Sequence, residues 1–157
     1  MKLQVWSVGK ANEPYVKQGI ELFSDRIKHY YPISWKIIAP PKNAATLSTE
    51  DLKKEEGKGI LSSLQTDDVL IALDERGKPF TSEQLAVFIQ QKANASAKNL
   101  IFLIGGAYGI SKEVETRANL ILSLSNFVFP HQLVRLIIAE QLYRACTIIR
   151  NEKYHHS

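Results

Sequence analysis

The chain has 157 residues, 45% of them hydrophobic, with a formal net charge of +4 and a sequence pI near 9.1. That length supports one real core and is too short for two ordinary domains, so a single domain over 1–157 is expected. The mild positive charge permits a nucleic-acid partner without requiring one, and a slightly basic enzyme fits it equally well.

No charge-free apolar run reaches the roughly 18 residues of a membrane span. The longest candidate, from Leu133, is broken by Arg135, Glu140 and Arg144. "MKLQVWSVGK" lacks the apolar core and cleavage site of a secretory signal, so a cytoplasmic protein with no membrane partner is expected. The single cysteine, Cys146, sits among apolar helix positions and reads as a small buried hydrophobe rather than a nucleophile.

In chain order, "KLQVWSV" alternates as a strand does, and Val16, Ile20, Phe23 and Ile27 then recur at helical spacing. "SWKIIAP" is a second strand stopped by Pro40 and Pro41, followed by a polar loop "KNAATLS". Ser48 and Thr49 are cap candidates for a helix with acidic residues in its first turn, though Gly57 and Gly59 weaken its middle. "DVLIALD", Asp68 to Asp74, is a continuous apolar run of the kind buried on both sheet faces. "ERGKPF" reads as a turn, and Thr81 with Gln84 forms a capping box ahead of "LAVFIQQKA". "NLIFLIGG" is another buried strand, "SKEVETRAN" a short helix capped by Ser111, and "LILSLSNF" a third buried strand. A long final helix follows, from about Gln132 to Arg150. This alternation predicts an α/β fold, a mostly parallel sheet with helices on both faces.

Ligands of such sheets bind beyond the carboxyl ends of the strands, which directs attention to the loops after Leu73, after Ile104 and around Leu124–Phe129. "IGGAYGIS" supplies Gly105, Gly106 and Gly109, but it is neither G-x-G-x-x-G nor a P-loop, and a strand precedes its GAYG where a KH domain has a helix. By itself it reads as a tight β-to-α connection. The loop "LSNFVFP" suits an apolar cofactor pocket whose backbone reads a ring edge; on its residues alone, a strand end entering the core is the simpler reading. In the last helix Glu140 and Arg144 stand i, i+4, either as an ordinary helix ion pair or as a charged pair handling an anion. "EKYHHS" reads as a frayed tail. From His131 onward Arg135, Arg144, Arg150 and Lys153 face only Glu140 and Glu152, so positive charge gathers at this end.

Taken together, "LDERGK", "FLIGGAYGI", "LSLSNFVFPHQLVRLIIAEQLYRA" and the terminal "YHH" resemble the RlmH family, small methyltransferases of the SPOUT class that modify N3 of a pseudouridine in large-subunit ribosomal RNA. The resemblance runs over essentially the whole chain. It implies a C-terminal trefoil knot, an exception to the rule that chains do not thread. It also implies a homodimer, S-adenosylmethionine as methyl donor, and a target in the intersubunit stem-loop of 23S rRNA in the assembled ribosome, with no role for DNA. Carried over by position, the cofactor contacts fall on Leu73, Gly105 with Gly106 beside it, and Leu124, Ser125, Asn126, Phe127, Val128 and Phe129. The catalytic and RNA-facing set falls on His131, Arg135, Glu140, Arg144, Tyr154 and His155, with the tail implied to cross to the partner's pocket. His156 stands where the family often has Arg or Lys, which makes a phosphate contact there weaker and pH-dependent. Two other classes compete, a non-catalytic RNA-binding module and a flavodoxin-like nucleotide or flavin binder, and cofactor binding separates all three.

Overall fold

The computed structural model describes residues 1–157. Five strands form one all-parallel sheet in the order β2-β1-β4-β3-β5, where β1 is Lys2–Val8, β2 Ile33–Ile38, β3 Val69–Pro79, β4 Asn99–Ile104 and β5 Leu120–Ser123. Helices α1 (Pro14–Ile27), α3 (Ser82–Asn94) and α5 (His131–Ile149) cover one face, and α2 (Thr49–Ser63) and α4 (Lys112–Arg117) the other. The expected α/β architecture is the one observed.

Double coverage explains the strand sequences. In β4, Leu100, Phe102 and Ile104 pack toward α3 and α5, while Ile101 and Leu103 pack toward α2 and α4. Both alternating sets are therefore apolar, and each large side chain contributes about 1.5–3 kcal/mol by leaving water. The caps also form as their sequences require. Ser48 accepts from Asp51 N–H at 3.2 Å and Ser111 from Val114 N–H at 3.2 Å. Thr81 and Gln84 make a reciprocal capping box. Helix α2 runs unbroken through Gly57, where a Cβ would stand 2.5 Å from Ser111 Oγ; the glycine lets α4 pack close.

Two boundaries differ from expectation. "ERGKP" is not a free turn: β3 continues to Pro79, and its pairing with β5 shifts register between Leu73 and Lys78, so that both oppose Leu122. The intervening Asp74 to Gly77 form a bulge closed by the Asp74 carboxylate, which accepts from Arg76 N–H and Nε–H, each at 2.9 Å. β5 in turn ends at Ser123 instead of running through Phe127, because the apolar residues after it leave the sheet to line a cavity.

Strand order brings the loops together. β5 lies on the far side of β3 from β4, so the connection after β4 crosses over β3, and the carboxyl ends of β4, β3 and β5 stand side by side. No helix is long and apolar enough to cross a membrane.

Candidate active site

Those three strand ends enclose a cavity of about 410 Å³, within the usual range for small-molecule sites. Leu73, Ile104, Gly105, Gly106, Leu124, Ser125, Phe127, Val128, Phe129 and His131 all line it. Of the residues expected to hold a cofactor only Asn126 does not; it is exposed at the tip of the loop. The loop is held by Ser125 Oγ, which accepts from Phe127 N–H at 2.9 Å, and by Ser123 Oγ–H, which donates to Ser125 C=O at 3.1 Å. Phe127 and Val128 are 79% and 81% exposed, two large apolar groups standing open at the cavity rim.

The opposite wall is the glycine turn. A Cβ on Gly105 would come within 2.8 Å of Ile110 Cγ2 and 3.2 Å of the Gly109 carbonyl, and Gly109 itself has φ +90°. The turn thus folds back tightly enough that backbone, not side chain, faces the cavity.

Charged groups that sequence reading did not single out complete the lining: Lys53, Asp74, Glu75 and Arg76. Arg76 donates to Asp74 and to Glu115, and holds the Asp74 carboxyl below its ordinary range. A charged bulge directly after a buried strand was the available signal for Asp74 and Arg76. Lys53 reaches the cavity from α2, and no local pattern marked it.

His131 begins α5 just after Pro130 and faces the cavity. Burial, with a smaller contribution from the Arg135 guanidinium, pushes its imidazole below the ordinary 6.5. The ring is therefore neutral at pH 7 and able to accept a proton. Because the folded value is depressed, the unfolded chain takes up the proton first, so His131 costs stability as pH falls below about 6.5. Denaturant midpoints at pH 7.5 and 5.5 should accordingly diverge less in His131→Gln than in the unaltered protein; equal divergence would show that His131 is not buried neutral.

Farther along α5 lies a second cluster. Arg144 donates to Glu140 through Nε at 2.9 Å, Tyr154 Oη–H donates to Glu140 at 3.1 Å, and Gln141 donates to the other Glu140 oxygen at 2.8 Å. The Tyr154 ring packs edge-on against Tyr143 at 4.7 Å and lies under the Arg144 guanidinium at 4.8 Å. His155 pairs through Nε2 with Glu83 at 2.7 Å, its Nδ1 standing 3.4 Å from Arg144. Burial and the Glu140 carboxylate raise the Tyr154 phenol, and Glu140 holds Arg144 more firmly charged.

This corrects the frayed-tail expectation. The tail is docked, anchored upstream by a hydrogen bond from Tyr30 Oη–H to Glu152. Glu140, Arg144, Tyr154 and His155 come together within one chain, joined by Glu83 and Gln141, which local sequence did not mark.

The two clusters do not meet within one chain. Thirteen residues of helix separate His131 from Arg144, about 20 Å along the axis at 1.5 Å per residue. Arg135, between them, is 1% exposed. Its Nε donates to Ser7 Oγ at 2.8 Å, and its Nη1 to Lys10 C=O at 2.8 Å and Asn12 Oδ1 at 3.0 Å. Three of its five N–H donors therefore hold acceptors of β1 and the following loop, an internal role that the sequence did not mark. Cys146 is buried as expected, its thiol pushed up to about 12 by desolvation.

Comparison with known proteins agrees with this architecture. Residues 1–155 match the family described as "Predicted SPOUT methyltransferase". The chain is 53% identical to the ribosomal RNA large subunit methyltransferase H of Cytophaga hutchinsonii, over 99% of this chain and 100% of the relative. It is 44% identical to the protein of the same name from Christiangramia forsetii, over 99% of each, and 42% identical to that of Trichlorobacter lovleyi, over 99% of this chain and 100% of the relative. With the match spanning nearly its whole length, the chain belongs to the SPOUT methyltransferase family.

Proposed function

We propose that this protein is a single-domain S-adenosylmethionine-dependent methyltransferase of large-subunit ribosomal RNA, that its target is N3 of a pseudouridine in the intersubunit stem-loop of the assembled ribosome, and that it works in the cytoplasm as a homodimer with its C-terminal segment threaded as a knot. The observation that carries this reading is the cavity over β3, β4 and β5, with backbone on one wall and an apolar loop on the other. Such a site suits an adenosine-bearing cofactor: Leu124, Phe127, Val128 and Phe129 would hold its ring, and amides and carbonyls of the two turns would supply polar contacts.

S-adenosylmethionine, when bound, supplies an electrophilic methyl group on a sulfonium. The chain's own residues do the rest. The apolar rim excludes water, which strengthens every charge interaction inside. N3 of the pseudouridine must lose its proton as it attacks, so an acceptor has to lie within hydrogen-bond reach. His131 is neutral and lines the cavity, whereas Glu140 is held by Arg144, Tyr154 and Gln141, and His155 by Glu83. His131 is thus the free acceptor, and Arg144 the cation suited to an RNA phosphate or to the developing anion.

Because Arg144 stands about 20 Å from His131 along α5, with Tyr154 and His155 folded back onto it from beyond the helix, a complete site needs the second cluster from a partner. The open stripe of α5 supports such a partner: Leu133, Ile137, Glu140 and Arg144 recur on one side and stay only half-buried in the single chain. Leu136 turns the other way, its Cδ1 packing where a Cβ of Gly19 would be.

The test is transfer of labelled methyl groups to ribosomes lacking the modification. Label should appear on the pseudouridine, and ribosomes carrying uridine at that position should stay unlabelled. Gly105→Val, which forces a branched side chain against Gly109 and Ile110, should lower cofactor affinity at least about tenfold with the fold intact. Calorimetry showing heat with flavin or nucleotide and none with S-adenosylmethionine would replace this reading.

A further inference from the structure

Glu56 lies on the buried stripe of α2 with Gly57 and Ile60. It is 8% exposed, a carboxyl group in the kind of place where such groups are almost always paired. Yet it makes no ion pair and no hydrogen bond: the ion pairs of its helix join Lys53 to Glu50 and Lys58 to Glu55. Its oxygens point at the glycine turn. A Cβ on Gly106 would stand 2.2 Å from Oε2 and 2.7 Å from Oε1, so nothing larger than glycine fits above the carboxyl group.

The turn is short of acceptors where Glu56 is short of donors. Its one internal backbone bond runs from Gly109 N–H to Gly106 C=O at 3.1 Å, and the amides of Ala107 and Tyr108, both on the cavity wall, take no backbone acceptor. A carboxyl group without a protein donor thus lies beneath Gly106, and two amides without a protein acceptor lie in the exposed turn just beyond it. Desolvation raises the Glu56 pKa above the ordinary 4.5, with no contribution from a neighbouring charge.

We propose that Glu56 is a positioning residue for the cofactor, the acceptor onto which the amides of the turn at Gly106–Tyr108 close when S-adenosylmethionine lies against Gly105. The inference rests on the cofactor reading above. Glu56 does not line the cavity and touches no reacting atom; it acts through the turn, fixing its height above β4. Glutamine retains an oxygen at the same reach. Alanine retains none.

Calorimetry with S-adenosylmethionine and amide hydrogen exchange over residues 105–110, free and bound, test this in the full-length protein. Glu56→Ala should weaken the cofactor about 10- to 100-fold, as expected for a lost hydrogen bond to a charged group, and should abolish the protection that the turn gains on binding. Glu56→Gln should recover most of both. In methyl transfer the loss should fall on the cofactor KM, with kcat at saturation within about twofold, since only turn placement has changed. Unaltered affinity in Glu56→Ala, or Glu56→Gln no better than Glu56→Ala, overturns the proposal. Should Glu56→Ala fail to fold, Glu56→Asp decides: one methylene shorter, it withdraws from Gly106 and should lose affinity, and wild-type affinity would count against the role. A wild-type protein that binds no S-adenosylmethionine takes down the cofactor reading along with this one, whereas normal wild-type binding with an unaffected Glu56→Ala removes the Glu56 role alone.

Discussion

A protein lacking Tyr154–Ser157 is expected to fold and to bind S-adenosylmethionine, but to transfer methyl groups to ribosomes at least about 100-fold more slowly, the penalty typical of a misplaced reactant. The stability cost should be about 1 kcal/mol, because deletion removes the Tyr154 hydrogen bond to Glu140 and its ring contact with Tyr143. That is too little to account for the lost activity. What goes is the assembly around Arg144: without Tyr154 under its guanidinium and His155 beside it, Arg144 keeps only Glu140. Its freedom then grows where an RNA phosphate or the target base has to be met. A mixing experiment separates action within one chain from action across a dimer. Tailless chains and Gly105→Val chains, each impaired alone at limiting cofactor, should regain activity when co-folded, because one site of the mixed dimer then has an intact cavity from one chain and an intact tail from the other. Full activity of the tailless protein would make the tail a structural strap only; failure of the mixture to recover would place tail and cavity in the same chain.

Much of the fold was legible because its signals are local. Ser48, Thr81 with Gln84, and Ser111 announce helix starts by side chains that bond within three residues. The strand runs of β3 and β4 are apolar throughout because both faces are covered. The cavity was half legible for the same reason: glycines after a buried strand mark a close turn wherever they occur. Misreadings arose where one residue type serves two masters. Leu124, Phe127 and Phe129 are apolar to line a cavity, so they imitate strand; Glu75 and Arg76 are polar because they look outward from a bulge, so they imitate a turn although β3 continues through them. The docked tail was out of reach altogether. Its decisive partner, Glu83, lies 72 residues away from His155, and only the packing of α3 against α5 brings the two together.

Arg135 shows the same limit and carries the largest expected stability effect. In sequence it is one of three charges on an apolar helix; in the structure it is the group through which α5 holds the β1–α1 loop. Replacing it with leucine would leave Ser7 Oγ, the Lys10 carbonyl and Asn12 Oδ1 without their donor, the first of them buried. Each lost bond involves a charged donor, and an acceptor left unsatisfied costs about 1–3 kcal/mol where water cannot replace the donor. The Lys10 carbonyl and Asn12 lie closer to solvent than Ser7, so partial rehydration reduces the total. Arg135→Leu should therefore lose about 3 kcal/mol, lowering Tm by about 6–12 °C for a domain of this size. Arg135→Lys should fall between, since a lysine keeps the charge but cannot present a planar fork to all three acceptors. Gln132 makes a lesser staple of the same kind, accepting from Glu13 N–H at 3.0 Å and donating to Ala11 C=O at 3.1 Å; it is more exposed, and Gln132→Ala should cost less than 1 kcal/mol. Thermal and denaturant unfolding of the three variants would check the order. A loss below about 1 kcal/mol in Arg135→Leu would mean that the loop finds water in place of the guanidinium, and would free Arg135 for the ligand-facing role that sequence alone suggested.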